Sequence, residues 1–300
     1  MLKRQACHLI GRHWAAFIAA LLLACMGQVA LAQTANAATY YVSPGGNDGA
    51  AGTSTATAWK TFGRAWQTLQ PGDTLLLLDG TYTESLAPNV RNGQSGLPIT
   101  VRALNDGKAI IDGGGTRRPV QLGDNWGPNG GPIGDWYVVE GIVARNGSDT
   151  VLHVKGNNNV LRRVSAYSAN PDLNSTVVLL WGNNNLVEDT VAAGTGRYMF
   201  EVYQGNGNTL RRIFAQWERW DGRQFCGVQW PHGYNVGVYN ASNTTVENAI
   251  AYGRAPAVGI LVQANADNAV ASNNAVLGSM ALMSGRDRDS SVWTYGTGLA

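Results

Sequence analysis

The chain has 300 residues, 44% of them hydrophobic and only 14% charged, with 22 Lys and Arg against 20 Asp and Glu. So even a balance excludes a basic field able to attract nucleic acid or a membrane surface as a whole. The apolar content is ample for a packed core.

Residues 1–37 have the layout of a secretory signal peptide. Lys3, Arg4 and Arg12 open it, Trp14–Ala32 is an apolar run, and small-residue sites end at Ala32 and Ala37, with cleavage expected after Ala37. Leu22-Leu23-Ala24-Cys25 also resembles a bacterial lipobox, which would place a lipid on Cys25. The expected location is secreted, periplasmic or at the cell surface. Removing the leader takes away three basic residues and Cys7 and Cys25, leaving a net charge near −1 and Cys226 alone. An exported protein with one cysteine has no internal disulfide, so its core must hold itself together. Cys226 itself reads as a small buried hydrophobe. No later stretch reaches the roughly 18 apolar residues that span a membrane, and a monomer is expected.

Residues 38–115 form an opening module of cap and first coils. Thr39-Tyr40-Tyr41-Val42 reads as a strand, Gly63–Leu69 as a short helix, and Leu75–Leu78 and Ile99–Ala103 as further strands. The helix is expected to cover the apolar end of whatever follows, where strand edges would otherwise be bare.

Residues 116–300 repeat. Gly156-Asn157-Asn158-Asn159-Val160-Leu161-Arg162-Arg163 returns as Gly182-Asn183-Asn184-Asn185-Leu186-Val187-Glu188-Asp189, and again from Gly205 to Arg212. Looser copies lie at Asn243–Ala251 and Asn268–Leu277. Self-similarity at such a period indicates a solenoid. No window carries helical spacing over a dozen residues; the units are short Val, Leu and Ile runs broken by Gly and Asn, which suit strands and sharp corners. The expected fold is all-β, a parallel β-helix with an N-terminal capping helix. The chain ends at Ser291–Ala300 without an obvious cap, which predicts an incomplete last coil.

Counting back from each corner aligns Lys155, Trp181, Gln204 and Tyr239, with Gln263 a looser fifth. Their predecessors are mostly apolar, so alternation points this column outward. A polar and aromatic ladder suits a linear polysaccharide, or is simply a solvated face. The coil from Leu210 to Val246 is 36 residues long against 23 for the one before it, and the excess holds Trp217, Arg219, Trp220, Arg223 and His232. Long loops on rigid scaffolds carry function more often than short ones; the alternative is a lid of tryptophans.

Tyr41-Val42-Ser43-Pro44-Gly45-Gly46-Asn47-Asp48-Gly49, Pro71-Gly72-Asp73-Thr74, Asp79-Gly80-Thr81-Tyr82 and Pro98-Ile99-Thr100-Val101 resemble the opening of bacterial right-handed parallel β-helix proteins of the pectate-lyase-like superfamily. Within it the resemblance is closest to chondroitinase B/alginate lyase-type polysaccharide lyases, and it extends to at least Leu277. It implies a secreted protein that acts on uronic-acid polysaccharide by β-elimination. That reaction needs a cation on the sugar carboxylate, a base for the C5 proton and an acid for the leaving oxygen. The family uses a Lys and an Arg on adjacent coils, often with calcium. The resemblance places the Lys, as the base, at Lys155, with His153 and Arg163 as catalytic candidates beside it. The family's Arg position is held here by Leu180-Trp181, leaving Arg197, Arg219 or Arg223 as substitutes. Trp181, Gln204, Tyr239, Trp217, Trp220 and His232 are the expected sugar contacts, and Asp287 and Asp289 are candidate oxygen ligands for calcium.

The Asp-Pro-His-Glu of mannuronan epimerases, the paired aspartates of polygalacturonases and the Arg-x-Pro-x-x-Arg of the main pectate lyases are absent. Inverting hydrolysis would need two carboxylates about 6.5–9.5 Å apart, for which Glu188, Asp189, Glu201, Glu218 and Asp221 are available. The competing reading is a non-catalytic β-helix that binds glycans or is displayed at the cell surface.

Overall fold

The computed structural model describes residues 37–127, 131–219, 224–225, 228–229, 233–254, 258–264 and 270–284. Residues 1–36 of the expected leader, Cys25 among them, and Cys226, Asp287 and Asp289 lie outside them. Three parallel sheets wind together from Thr39 onward. The first runs through Thr39–Val42, Thr74–Leu77, Ile99–Ala103, Tyr137–Glu140, Val160–Arg162, Leu186–Glu188, Thr209–Arg211, Thr245–Glu247 and Ala275–Leu277. A second, eight-stranded sheet and a third, six-stranded sheet complete each turn. The repeats noted in the sequence are successive turns: Leu161 pairs with Val187, Val187 with Leu210, and Leu210 with Val246. Each strand therefore meets its counterpart one coil along, at the ~4.8 Å spacing of neighbouring strands. This is the right-handed parallel β-helix expected from the sequence.

The interior follows from period-two alternation. The first sheet turns Val139, Leu161, Val187, Leu210 and Val246 inward, and the second turns in Ala144, Ala166, Ala192, Ala215 and Ala251, all essentially inaccessible. From the third come Leu152, Val178, Phe200 and Val236, and beside them Val154, Leu180, Val202 and Val238. The Ala that ends each repeat is the small inward residue of the second sheet.

The helix is Phe62–Thr68, one residue earlier than the sequence suggested, because Thr61 caps it by accepting the Arg64 N–H at 3.1 Å. Phe62 stacks on Tyr82 at 5.3 Å and Trp66 meets the edge of Tyr137 at 6.3 Å. The helix thus seals core residues at the start of the stack. The opening module is continuous with the coils, since three of its strands begin the first sheet.

The Gly and Asn of each corner divide the work differently from the sequence reading. The left-handed backbone falls on Asn158 (φ 58), Asn184 (φ 54), Asn243 (φ 53) and Asn273 (φ 54), not on the leading glycines. A Cβ on Gly182 would lie 1.9 Å from the Gly156 carbonyl oxygen, so those glycines are required by the closeness of the coils. Asn159, Asn185 and Asn208, which close three successive corners, are buried and build a ladder. Asn185 Oδ1 accepts the Asn159 N–H at 2.9 Å, its Nδ2 donates to the Gly156 carbonyl at 3.0 Å, and Asn208 repeats both contacts one coil on. These amides satisfy backbone groups that would otherwise be buried unpaired.

Candidate functional site

The outward face of the third sheet carries the site. Its strands are Val120–Leu122, Thr150–Val154, Thr176–Leu180, Tyr198–Tyr203, Tyr234–Tyr239 and Val258–Gln263. Registered pairing arranges the outward residues in three columns that run along the stack. One is Thr150, Thr176, Tyr198 and Tyr234; the middle one is His153, Leu179, Glu201 and Gly237; the third is Lys155, Trp181, Tyr203, Tyr239 and Gln263. All of them but Lys155 and Gly237 line a cleft of about 570 Å³, together with Arg118, Asp149, Asn174 and Arg197.

The third column is the ladder the sequence predicted, with one correction. Gln204 is not in it; Tyr203 is, paired with Tyr239. The strand Tyr198–Tyr203 has six residues where Thr176–Leu180 has five, and Gln204 turns out of it with a left-handed φ of 56°. The Lys155 ammonium lies 4.8 Å over the Trp181 ring, Trp181 meets Tyr203 edge-on at 5.0 Å, and Tyr203 stacks on Tyr239 at 5.7 Å. Opposite, Tyr198 and Tyr234 stack at 5.0 Å, and the Arg197 guanidinium covers Tyr198 at 4.6 Å while donating to Asn174 Oδ1 at 2.7 Å. The sequence reading missed Tyr198, Tyr203, Tyr234 and Arg118. The first three were legible as tyrosines framing apolar strand residues, but Met199 points inward beside Phe200 and breaks the alternation.

One end of the cleft is charged. Arg118 forks onto Asp149 at 2.8 and 2.5 Å and reaches Asp124 at 2.8 Å, and Lys155 Nζ is 2.8 Å from the other Asp124 oxygen. His153 is buried between them; its ring nitrogens have no hydrogen-bond partner, and Nε2 is 3.7 Å from Asp124. Burial first, and then the neighbouring Arg118 charge, hold the His153 pKa down at about 4, so the ring is neutral at pH 7. Lys155 is paired with Asp124 and stands over Trp181, beside the residues that line the cleft.

In the middle, Glu201 accepts a hydrogen bond from Thr176 Oγ1 at 2.9 Å. Burial pushes its pKa up from 4.5 to about 7, against the opposing pull of Thr176 and Arg197. The residue is mostly buried and lines the cleft.

Other expected residues fall elsewhere. Arg163 is on the corner between the first and second sheets, bound to Asp106 at 2.7 Å and to Glu140, and is not brought to Lys155. Its left-handed φ of 51° aligns it with Asp189 and Arg212 in a corner charge network. Trp217 is 7% exposed and donates its indole N–H to the Gly196 carbonyl at 2.8 Å, which makes it a core residue and not a sugar contact. The side chain of Arg219, and Trp220, Arg223 and His232, lie outside the described residues. Among the described residues no three His, Cys, Asp or Glu cluster to hold a metal; Asp124 and Asp149 are already taken up by Arg118 and Lys155. The candidate calcium ligands Asp287 and Asp289 lie outside the described residues. No described helix is long and apolar enough to cross a membrane.

Residues 57–194 match the chondroitinase B family. Pectate lyase L of Dickeya dadantii (strain 3937) is 38% identical over 80 residues, covering 24% of this chain and 19% of that enzyme. The chain thus spans about a fifth of the length of that curated relative. The crystal structure of pectate lyase Pel9A superposes with a TM-score of 0.52 at 17% identity, over 84% of this chain and 78% of that one. A mannuronic acid-specific family 6 polysaccharide lyase from human gut microbiota aligns with a TM-score of 0.47 at 17% identity, over 80% and 59% of the two chains. At these identities the structural likeness is one of fold, and the sequence matches are to polysaccharide lyases.

Proposed function

We propose that the chain is a secreted lyase of uronic-acid polysaccharide, and that the substrate lies along the third sheet between the two aromatic walls. The observation that carries this reading is the cleft itself, where Trp181, Tyr203 and Tyr239 face Tyr198 and Tyr234, with Arg118 and Arg197 in its lining and Lys155 beside it. Aromatic faces suit the apolar faces of sugar rings, and guanidinium groups suit carboxylates. In β-elimination a cation beside the uronate carboxylate stabilises the negative charge that develops as the C5 proton leaves. Arg197, which lines the cleft over Tyr198, is assigned that task in this reading, and Arg118 with the neighbouring Lys155 that of holding the next carboxylate at the charged end. The expected polysaccharide partner and the secreted location follow from this reading.

The test follows the ultraviolet absorbance of unsaturated uronate when the chain is incubated with alginate, polygalacturonate or chondroitin sulfate, with calcium and with chelator. A rise with one polymer is expected, unchanged by chelation. Retarded migration in polymer-containing gels without any rise would make this a binding module, and silence in both would reject the acidic glycan. Lys155→Ala is expected to lower kcat/KM about tenfold to a hundredfold, mainly through KM, since one charge-assisted contact is lost. Circular dichroism should stay unchanged, because the Lys155 side chain is 39% exposed.

A further inference from the structure

The assignment above leaves the group at the centre of the cleft without a task. Glu201 projects from the middle column between Leu179 on one neighbouring strand and Gly237 on the other. Leu179 offers no hydrogen bond and Gly237 no side chain, so nothing on these strands covers the carboxyl. One oxygen accepts from Thr176; the other has no hydrogen bond among the described residues. The stacked pair Tyr198 and Tyr234 flanks it on one side and Tyr203 with Tyr239 on the other. A sugar clasped between those walls rests over this carboxyl.

We propose that Glu201 is the proton carrier of the cleft, taking the C5 proton of the bound uronate and returning it to the departing O4. This rests on the lyase reading above. The C5–H bond breaks and its proton goes to the Glu201 carboxylate, while its electron pair forms the C4=C5 double bond. The C4–O4 bond breaks, O4 leaves with its pair, and the proton passes from Glu201 to O4, restoring the carboxylate. No water, metal or oxidant is consumed. A carboxyl poised at about pH 7 is suited to accept and release a proton in the same turnover. Arg197 supplies the positive charge on the same side of the cleft, and His153, neutral, adds none. One group serving both atoms requires C5–H and O4 on the same face of the ring, as in polymannuronate and unlike polygalacturonate.

The experiment compares the full chain with Glu201→Gln and Glu201→Asp on both polymers, reading kcat and KM separately, with gel retardation and a thermal melt of each variant. Glu201→Gln is expected to lower kcat on polymannuronate by between about a hundredfold and ten-thousandfold, with KM and retardation preserved and a single cooperative melt retained, and Glu201→Asp to recover part of the rate. The wild-type rate should fall below about pH 7 as the carboxylate takes a proton. Wild-type kcat in Glu201→Gln, loss of kcat in Lys155→Ala instead, or preference for polygalacturonate would each overturn the proposal and leave the lyase reading standing. An inactive wild type would remove both.

Discussion

Asn185→Ala is expected to lower the free energy of unfolding by about 3 kcal/mol, while Asn183→Ala two residues away costs under about 1 kcal/mol. Both asparagines belong to ladders that tie one coil to the next. Asn183 Oδ1 accepts the Asn206 N–H at 2.9 Å at the exposed surface, where water replaces the lost partner. Asn185 is 1% exposed, and its removal strands the buried Asn159 N–H and Gly156 carbonyl together. Each unpaired buried group costs about 1–3 kcal/mol. Urea titrations of the two variants check the difference; equal losses would mean that water reaches the inner ladder.

Glu201→Gln is also expected to change how stability depends on pH. Its carboxyl has a folded pKa of about 7 against an ordinary 4.5, so between those values the native state holds a proton that the unfolded state has released. Its contribution is therefore full below about pH 4.5 and is lost as pH rises through 7, an effect of about 3 kcal/mol. His153 acts in the opposite sense. Its folded pKa of about 4 lies below the ordinary 6.5, so its contribution is full above 6.5 and is lost as pH falls towards 4. The two oppose each other over most of the same window, and the wild type should show little net slope from this pair. In Glu201→Gln only the His153 slope remains, and the variant's advantage over wild type should grow by about 3 kcal/mol from pH 4.5 to 7. Guanidinium melts at several pH values measure this, and a pH-independent difference would rule it out.

The fold was legible because its two most constrained features are carried by residue type. The coil corners leave no room for a side chain at Gly156 and Gly182 and need a buried amide at Asn159, Asn185 and Asn208, so the motif recurs nearly letter for letter. The candidate site was legible only in part. Trp181, Tyr239, Arg197 and His153 do line one cleft, and Lys155 stands beside it over the Trp181 ring. Gln204 was one residue out, because an added residue at the end of its strand shifts the count from the corner without altering the corner's letters. Arg163 was misplaced for a different reason: nearness in sequence to Lys155 says nothing once a corner and a whole strand intervene. Glu201 stood out little in the sequence because its character comes from Leu179, Gly237 and the tyrosines of other coils.

The regular pairing of the third sheet makes the cleft a ruler. Its graduations are strand spacings of ~4.8 Å, set by backbone hydrogen bonds that side-chain substitution cannot lengthen. Mutation can rewrite the mark at each graduation, as Lys155, Trp181, Tyr203, Tyr239 and Gln263 show, but not move it. A polymer whose own repeat differs slightly from the graduation slides out of phase after a few units, as the two scales of a vernier do. Binding should therefore strengthen with oligomer length only until the scales disagree, and longer chains should then gain no further affinity.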